Sequence, residues 1–206
     1  MKLVLATHNQ GKVQEIMELL RGFNVTVLSL SDYPNVGDIT EDGATFAENA
    51  VKKACFVAEQ TGEVVMADDS GLEVDYLNGA PGVHSARFAG AETNDHANNE
   101  KLLKLLSGVP PEMRTARFRC VIAVTEPEGR VSIAEGTCEG IITNEPRGSG
   151  GFGYDPLFYL PTHGKTFAEL DLATKNKISH RSKAVNKIAF ILSAVIKKNI
   201  IITNRQ

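Results

Sequence analysis

The stretch "VVMADDSGLEVD", Val64–Asp75, decides how the rest of the chain reads. Val64, Val65, Met66 and Ala67 are apolar, and two adjacent carboxylates, Asp68 and Asp69, follow at once, with Ser70 and Gly71 behind them. Successive strand residues point to opposite faces, so both acids cannot enter one core. An unpaired buried charge is too costly to tolerate. The pattern therefore predicts a strand over 63–67 that stops where the acids begin. A solvated turn accounts for the acids, because Asp, Ser and Gly are ordinary turn formers. A metal or acid/base site at the carboxyl end of a strand accounts for them equally.

Upstream of this strand, 2–6 reads as a first strand and 11–20 as a helix, with Val13, Ile16, Met17 and Leu20 on one face. A second strand is expected over 23–30, then a loop over 31–44 rich in turn formers and acids. A helix over 45–60 places Phe46, Ala50, Ala54 and Val57 on one side, and Gly62 stops it. Downstream, 77–90 is punctuated by Gly and Pro and reads as irregular, and 94–106 reads as a helix. Residues 114–143 read as two long strands joined by a Pro-Glu-Gly turn. A glycine-rich loop, a polar and basic stretch, and a final helix from Ser182 to about Lys198 complete the chain, with "NIIITNRQ" open between strand and frayed end. Strand–helix–strand order followed by a long hairpin predicts an α/β fold, a mixed sheet flanked by helices. No repeat or linker splits the chain, so 1–206 is expected to form a single domain.

A chain of 206 residues is ample for a core, and 42% hydrophobic with 23% charged residues is the balance of a soluble globular protein. No apolar run is long enough for a membrane span. The opening "MKLVLATHNQGK" is too briefly apolar for a secretory core and reads as the first strand. Cys55, Cys120 and Cys138 show neither metal nor disulfide spacing, which suits a cytoplasmic location. Charge is unevenly spread. From His163 onward nine Lys/Arg outweigh two Asp/Glu, so against a net charge of -3 the remainder is strongly acidic. One basic and one acidic wall would suit a phosphate substrate and a metal, and a basic arm for nucleic acid would share the pattern.

Four constellations carry chemistry. In "ATHNQGK", Ala6–Lys12, a strand runs through a polar loop into a helix, presenting free N–H groups and a positive helix end to an anion. Thr7 and Asn9 add hydrogen bonds and Lys12 a charge; it is not a P-loop, and an ordinary cap with a solvated lysine has the same sequence. Glu41 with Asp68 and Asp69 offers the hard oxygen donors that Mg2+ takes, while acids at 41 and 42 also suit a helix N-terminus. Glu48 reads as a solvent-facing helix residue. "GSGGFGYDP", Gly148–Pro156, has four glycines that let backbone approach a ligand, with Phe152 and Tyr154 as flat faces for a base and Asp155 as an acceptor. A hairpin turn is the plainer reading. "KNKISHRSK", Lys175–Lys183, clusters Lys, His and Arg, suited to phosphate or base edges or to a solvated face. Together the four are the parts of a nucleoside triphosphate site.

These residues carry a resemblance. "LATHNQGKVQEI", "FAENAVKKA", "ADDSGLEVDYLNGAPGVHSARFAG", "GFGYDPLF" and "KNKISHRSKA" occur in order, and the chain resembles the inosine triphosphate pyrophosphatase family, the bacterial dITP/XTP pyrophosphatases, over nearly its whole length. The resemblance implies an elongated central sheet, two lobes with the active-site cleft between them, and a homodimer. It implies Mg2+-dependent hydrolysis of ITP, dITP, XTP and dXTP to the monophosphate and pyrophosphate, clearing deaminated purines from the nucleotide pool. By this resemblance Asp69 is the catalytic proton acceptor and a metal ligand, with Glu41 the second ligand. Thr7, His8, Asn9, Gln10, Gly11 and Lys12 bind the triphosphate, and Ser70 touches substrate. Phe152, Gly153, Tyr154 and Asp155 line the base site with His180 and Arg181, and Lys175 also contacts substrate. His84 and Phe88 stand where many members carry Tyr.

The chemistry of the residues agrees. In-line attack between the α- and β-phosphates needs an oriented water and cations for the leaving pyrophosphate, which Lys12 and Lys175 offer. Three rivals share parts of the pattern. One is a pyrophosphatase preferring dTTP, UTP or a methylated nucleotide. Another is a sensor that binds ITP without turnover. The third is nucleic-acid binding through 175–183, which predicts a steep salt dependence; the reading adopted expects no nucleic-acid partner.

Overall fold

The computed structural model describes residues 1–37, 39–90 and 94–203, with side chains described as far as 196. Asp38, within the loop expected over 31–44, lies outside the described residues, as do the last three of "NIIITNRQ". The described elements run β1 (Lys2–Leu5), α1 (Gln10–Leu19), β2 (Thr26–Ser29), α2 (Phe46–Thr61), β3 (Val64–Val74), α3 (Asp95–Leu105), β4 (Thr115–Thr125), β5 (Val131–Ile142), β6 (Phe158–Leu160), β7 (Lys165–Thr166), α4 (Leu172–Ile178) and α5 (His180–Thr203). The strands form one seven-stranded sheet in the order β2-β1-β3-β4-β5-β6-β7. It is mixed: β1 pairs in parallel with β2 and β3, whereas β6 pairs antiparallel with β5 and β7. This is the α/β architecture expected.

Local chemistry sets the boundaries. Asn9 caps α1, its Oδ1 accepting the Lys12 N–H at 3.0 Å. Thr45 caps α2 by accepting the Glu48 N–H at 3.1 Å, and the Glu48 carboxylate reaches back to the Ala44 N–H at 2.7 Å. Gly62, at φ 67°, closes α2 in the left-handed conformation that glycine adopts without strain. The expected hairpin is β4 and β5, neighbours in the sheet, with Glu126 N–H bonded to Arg130 O at 2.9 Å across the turn.

Two expectations change. The segment around 82–87 is not irregular but a 3-10 helix, Gly82–Arg87, entered through a cis Ala80–Pro81 bond. More consequentially, β3 does not stop at Ala67. It runs eleven residues, through both acids, to Val74. Alternation puts Asp68 and Asp69 on opposite faces, and each face supplies its own cations, so neither charge is buried alone.

The chain divides into two compact units, Met1–Asp69 with Cys120–Gly136 and Arg181–Gln206, and Ser70–Arg119 with Thr137–His180. Each has its own core. In the first, Leu3 and Leu5 of β1, Met66 of β3 and Ile122 of β4 pack with Ile16 of α1 and Val185, Ile188 and Leu192 of α5. In the second, Leu72 of β3, Phe118 of β4 and Ile142 of β5 pack with Leu102 of α3, Phe158 and Phe167. Among the described residues no helix is long and apolar enough to cross a membrane.

Candidate active site

In the first unit β1 delivers the chain into the loop Thr7–Asn9 and then α1. Thr7 Oγ1 accepts the Asn9 N–H at 3.1 Å, which braces the loop ahead of the cap. His8, Asn9 and Gln10 are exposed, and Thr7, Gly11 and Lys12 half-buried. The first N–H groups of a helix have no intrahelical partner, so this end of α1 is suited to an anion.

Behind it lies a buried charge network. Asp68 is 1% exposed. Its Oδ1 holds the Lys12 ammonium at 2.6 Å and its Oδ2 accepts from Arg181 Nε at 2.9 Å. Cys120 Sγ donates to the same Oδ2 at 3.0 Å, and Arg181 Nη1 also binds Glu15. Burial alone would raise the Asp68 carboxyl, but Arg181 and Lys12 outweigh it and hold it well below the usual carboxylate range. Burial and the neighbouring Asp68 charge push the Cys120 thiol well up. For Arg181 burial opposes the charge, and Asp68 and Glu15 more than restore it.

Asp69 faces a different partner. Its Oδ1 lies 2.7 Å from Lys53 Nζ, and the same ammonium lies 3.0 Å from Glu41 Oε2. Two carboxylates from β3 and the 31–44 loop are thus gathered on one cation from α2. Burial is the main influence on Asp69 and raises its carboxyl; Lys53 and Lys12 pull it back without cancelling the rise, and Glu41 adds to it. Glu41 is lowered: burial would raise it, but Lys53 prevails. A carboxylate pair already organised around one positive charge fits a divalent ion of the Mg2+ type, which takes one or two carboxylates and completes its shell with water and phosphate.

In the second unit, Ser70 continues β3, half-buried. The glycine-rich loop is shaped by Asp155, 2% exposed, whose Oδ2 accepts the Phe152 N–H at 3.0 Å and the Lys175 ammonium at 2.5 Å. A side chain at Gly151, at φ 71°, would place its Cβ 2.0 Å from that oxygen. Lys175 also lies over the Phe152 and Phe167 rings, 5.1 and 5.3 Å from their centroids. Phe152 is half-buried. Tyr154 is 4% exposed and belongs to the core, its hydroxyl donating to Ser85 O at 2.9 Å. Its ring is therefore a packing element, and Phe152 is the loop's more exposed flat face.

His180 and Arg181, adjacent in sequence, fall in different units. His180 stacks on Phe118 at 4.8 Å between centroids, and Arg181 sits in the Asp68 network. The expected basic wall at 175–183 is mostly not a wall, since Lys175, His180 and Arg181 are at most 3% exposed.

Sequence reasoning missed Lys53, Glu15 and Cys120. A signal existed for Lys53. It is buried on the same side of α2 as Phe46, Ala50 and Val57, and a lysine within an apolar stripe needs a partner. Nothing local pointed to Cys120, which meets Asp68 from 52 residues away.

The first unit carries the Asp68 and Asp69 charge networks behind the start of α1, and the second an aromatic loop backed by Lys175. The chain belongs to the Ham1 family, whose model matches residues 3–191. It is 61% identical over 193 residues to a dITP/XTP pyrophosphatase of Desulforamulus reducens, covering 94% of this chain and 96% of that one. It is 50% identical over 197 residues to a dITP/XTP pyrophosphatase of Listeria innocua, covering 96% and 97%. The solved HAM1 protein of Coxiella burnetii matches with a TM-score of 0.85 at 44% identity, covering 94% of this chain and 99% of that one. The Ham1 protein of Staphylococcus aureus gives 0.82 at 40% identity, covering 97% and 100%. The family resemblance drawn from the motifs stands.

Proposed function

We propose that the protein hydrolyses the α–β phosphoanhydride of ITP, dITP, XTP and dXTP, with Mg2+, to the monophosphate and pyrophosphate. The relatives' names support a nucleotide pyrophosphatase. The observation that carries the mechanism is the pair Asp69 and Glu41 on the one Lys53 ammonium, at 2.7 and 3.0 Å. Asp69 accepts the proton of the attacking water. Glu41 and Asp69 would hold Mg2+, which when bound polarises phosphoryl oxygens and neutralises developing charge. The N-terminal loop Thr7–Lys12 binds the triphosphate, with Lys12 held at 2.6 Å by Asp68 so that its charge has a defined position. Ser70 contacts substrate.

The base is received by the Phe152–Asp155 loop. Phe152 offers the stacking face, with the Lys175 ammonium behind it. Lys175, engaged by Asp155 and two aromatic rings, fits this end of the substrate better than the pyrophosphate role expected from its charge. His180 backs the same aromatic group. Arg181 acts through Asp68 on Lys12. Hydrogen bonds to the 6-oxo edge would reject adenine, whose 6-amino group presents a donor. The reading includes a homodimer, supported by the family resemblance, and a cytoplasmic setting, supported by three free cysteines.

The test is pyrophosphate release from a panel of nucleoside triphosphates, with and without Mg2+, for the wild type and Asp69→Asn. Mg2+-dependent release from ITP and XTP, near zero from ATP, is expected, with turnover in the variant down by roughly two to four orders of magnitude. Preference for pyrimidines would overturn the substrate, and ITP binding without turnover would make the protein a sensor.

A further inference from the structure

Helix α3 reaches the glycine-rich loop through two side chains one turn apart. Asp95 and Asn99, at i and i+4, lie on one face of the helix. Both engage a single residue. The Gly153 N–H donates to Asp95 Oδ2 at 2.7 Å, and Asn99 Nδ2 donates to the Gly153 carbonyl at 3.0 Å. The donor and the acceptor of one backbone residue are therefore both held by one helix. Gly153 has φ 61°, and no atom lies within 4 Å of where its Cβ would be. Glycine is needed there for its conformation and not for lack of room. Its carbonyl and amide are thus turned in directions that an ordinary loop residue would not hold, and the two side chains meet them there.

The neighbouring residues give the clamp its consequence. Phe152 precedes Gly153 and is fastened on its other side by its N–H to Asp155. Tyr154 follows and is anchored to Ser85. Asn98, beside Asn99, accepts the Ala89 N–H at 2.7 Å and donates to Ala86 O at 3.0 Å, so the same turn of α3 secures the end of the Gly82–Arg87 3-10 helix. The Asn99 Oδ1 is buried with no hydrogen-bond partner among the described residues. Buried polar atoms normally find partners, and this one is left as an acceptor for a water or for a ligand N–H.

We propose that Asp95 and Asn99 are positioning residues for base recognition: together they fix the Gly153 peptide groups and so set the placement of the Phe152 ring. The proposal rests on the reading that the Phe152–Asp155 loop receives the base. It separates two functions of α3, whose apolar side packs the core through Leu102 and whose first turns orient the loop.

The experiment uses the full-length protein with Mg2+ and measures KM and kcat for ITP, with thermal midpoints, for Asp95→Ala, Asp95→Asn, Asn99→Ala and, as a reference for the loop itself, Phe152→Ala. Asp95→Ala and Asn99→Ala are expected to raise KM for ITP roughly five- to tenfold while kcat falls less than about twofold, the signature of lost ground-state binding. Asp95→Asn keeps an oxygen to accept the Gly153 N–H and is expected to stay within about twofold of wild type. KM unchanged in Asp95→Ala and Asn99→Ala while Phe152→Ala raises it would overturn the clamp and leave the base site standing. Equal losses in Asp95→Asn and Asp95→Ala would also overturn it, since charge and not geometry would then matter. No effect of Phe152→Ala on KM would remove the base-site reading and the clamp with it. If Asp95→Ala fails to fold, Asn99→Ala decides.

Discussion

Asp68→Asn tests the buried network most directly. The substitution is nearly isosteric, so it opens no cavity, and the effect is electrostatic. It removes the charge that holds Arg181 Nε at 2.9 Å and Lys12 Nζ at 2.6 Å. The side chains of Asp68 and Arg181 are 0% and 2% exposed, so water cannot replace the lost partner. Removing one member of a buried pair costs about 3–5 kcal/mol. Arg181 retains Glu15 and Lys12 is 15% exposed, which favours the lower end, about 3 kcal/mol. For a chain of this size that lowers the thermal midpoint by roughly 6–12 °C, measured by circular dichroism. The pH dependence has a defined sign. The folded carboxyl is held well below the range in which the unfolded chain takes up its proton, near pH 3.9. Between those two values the unfolded state binds more protons, so the stabilisation is complete above the unfolded value and is lost as pH falls through the folded one. The difference between wild type and variant is therefore flat from pH 7 to about 5 and shrinks below about 4. A midpoint shift under about 2 °C, or a difference that grows in acid, would refute the argument.

Two more outcomes follow from the same geometry. Gly151→Ala puts a Cβ 2.0 Å from Asp155 Oδ2 at a residue with φ 71°, so Asp155 must leave Lys175 and the Phe152 N–H; KM for ITP should rise more than about tenfold, and an unchanged KM would detach Asp155 from the base loop. Cys120, raised by burial and by Asp68, should resist iodoacetamide in the native protein at pH 8.5 while half-buried Cys55 is alkylated, as read by mass spectrometry; alkylation of Cys120 before Cys55 would contradict the buried network.

Strand β3 runs through both acids to Val74, past the point where its apolar opening ends. Its apolar opening was legible, and so was the conflict of two acids in a row. What was not legible was the strand's continuation, because it depends on Arg181 and Lys12 meeting Asp68 on one face and Lys53 meeting Asp69 on the other. Arg181 is 113 residues from Asp68 in the chain, and no local pattern links them. A similar gap separates Asp95 from Gly153, 58 residues apart.

Periodicity, caps and turn residues are local, acting within a few residues, and the sequence by itself determined what depends on them. The helix at α2 with Thr45 and Gly62 at its ends, the β4–β5 hairpin, the α/β class and the motifs that carry the family are of this kind. Which cation meets which carboxylate is a matter of distance in space, and only the tertiary structure decided it. It put Arg181 with Asp68, Lys175 with Asp155, and Lys53 between Asp69 and Glu41. The physical reason is desolvation. A buried charge is tolerated only beside its partner, so folding selects partners that sequence adjacency does not reveal.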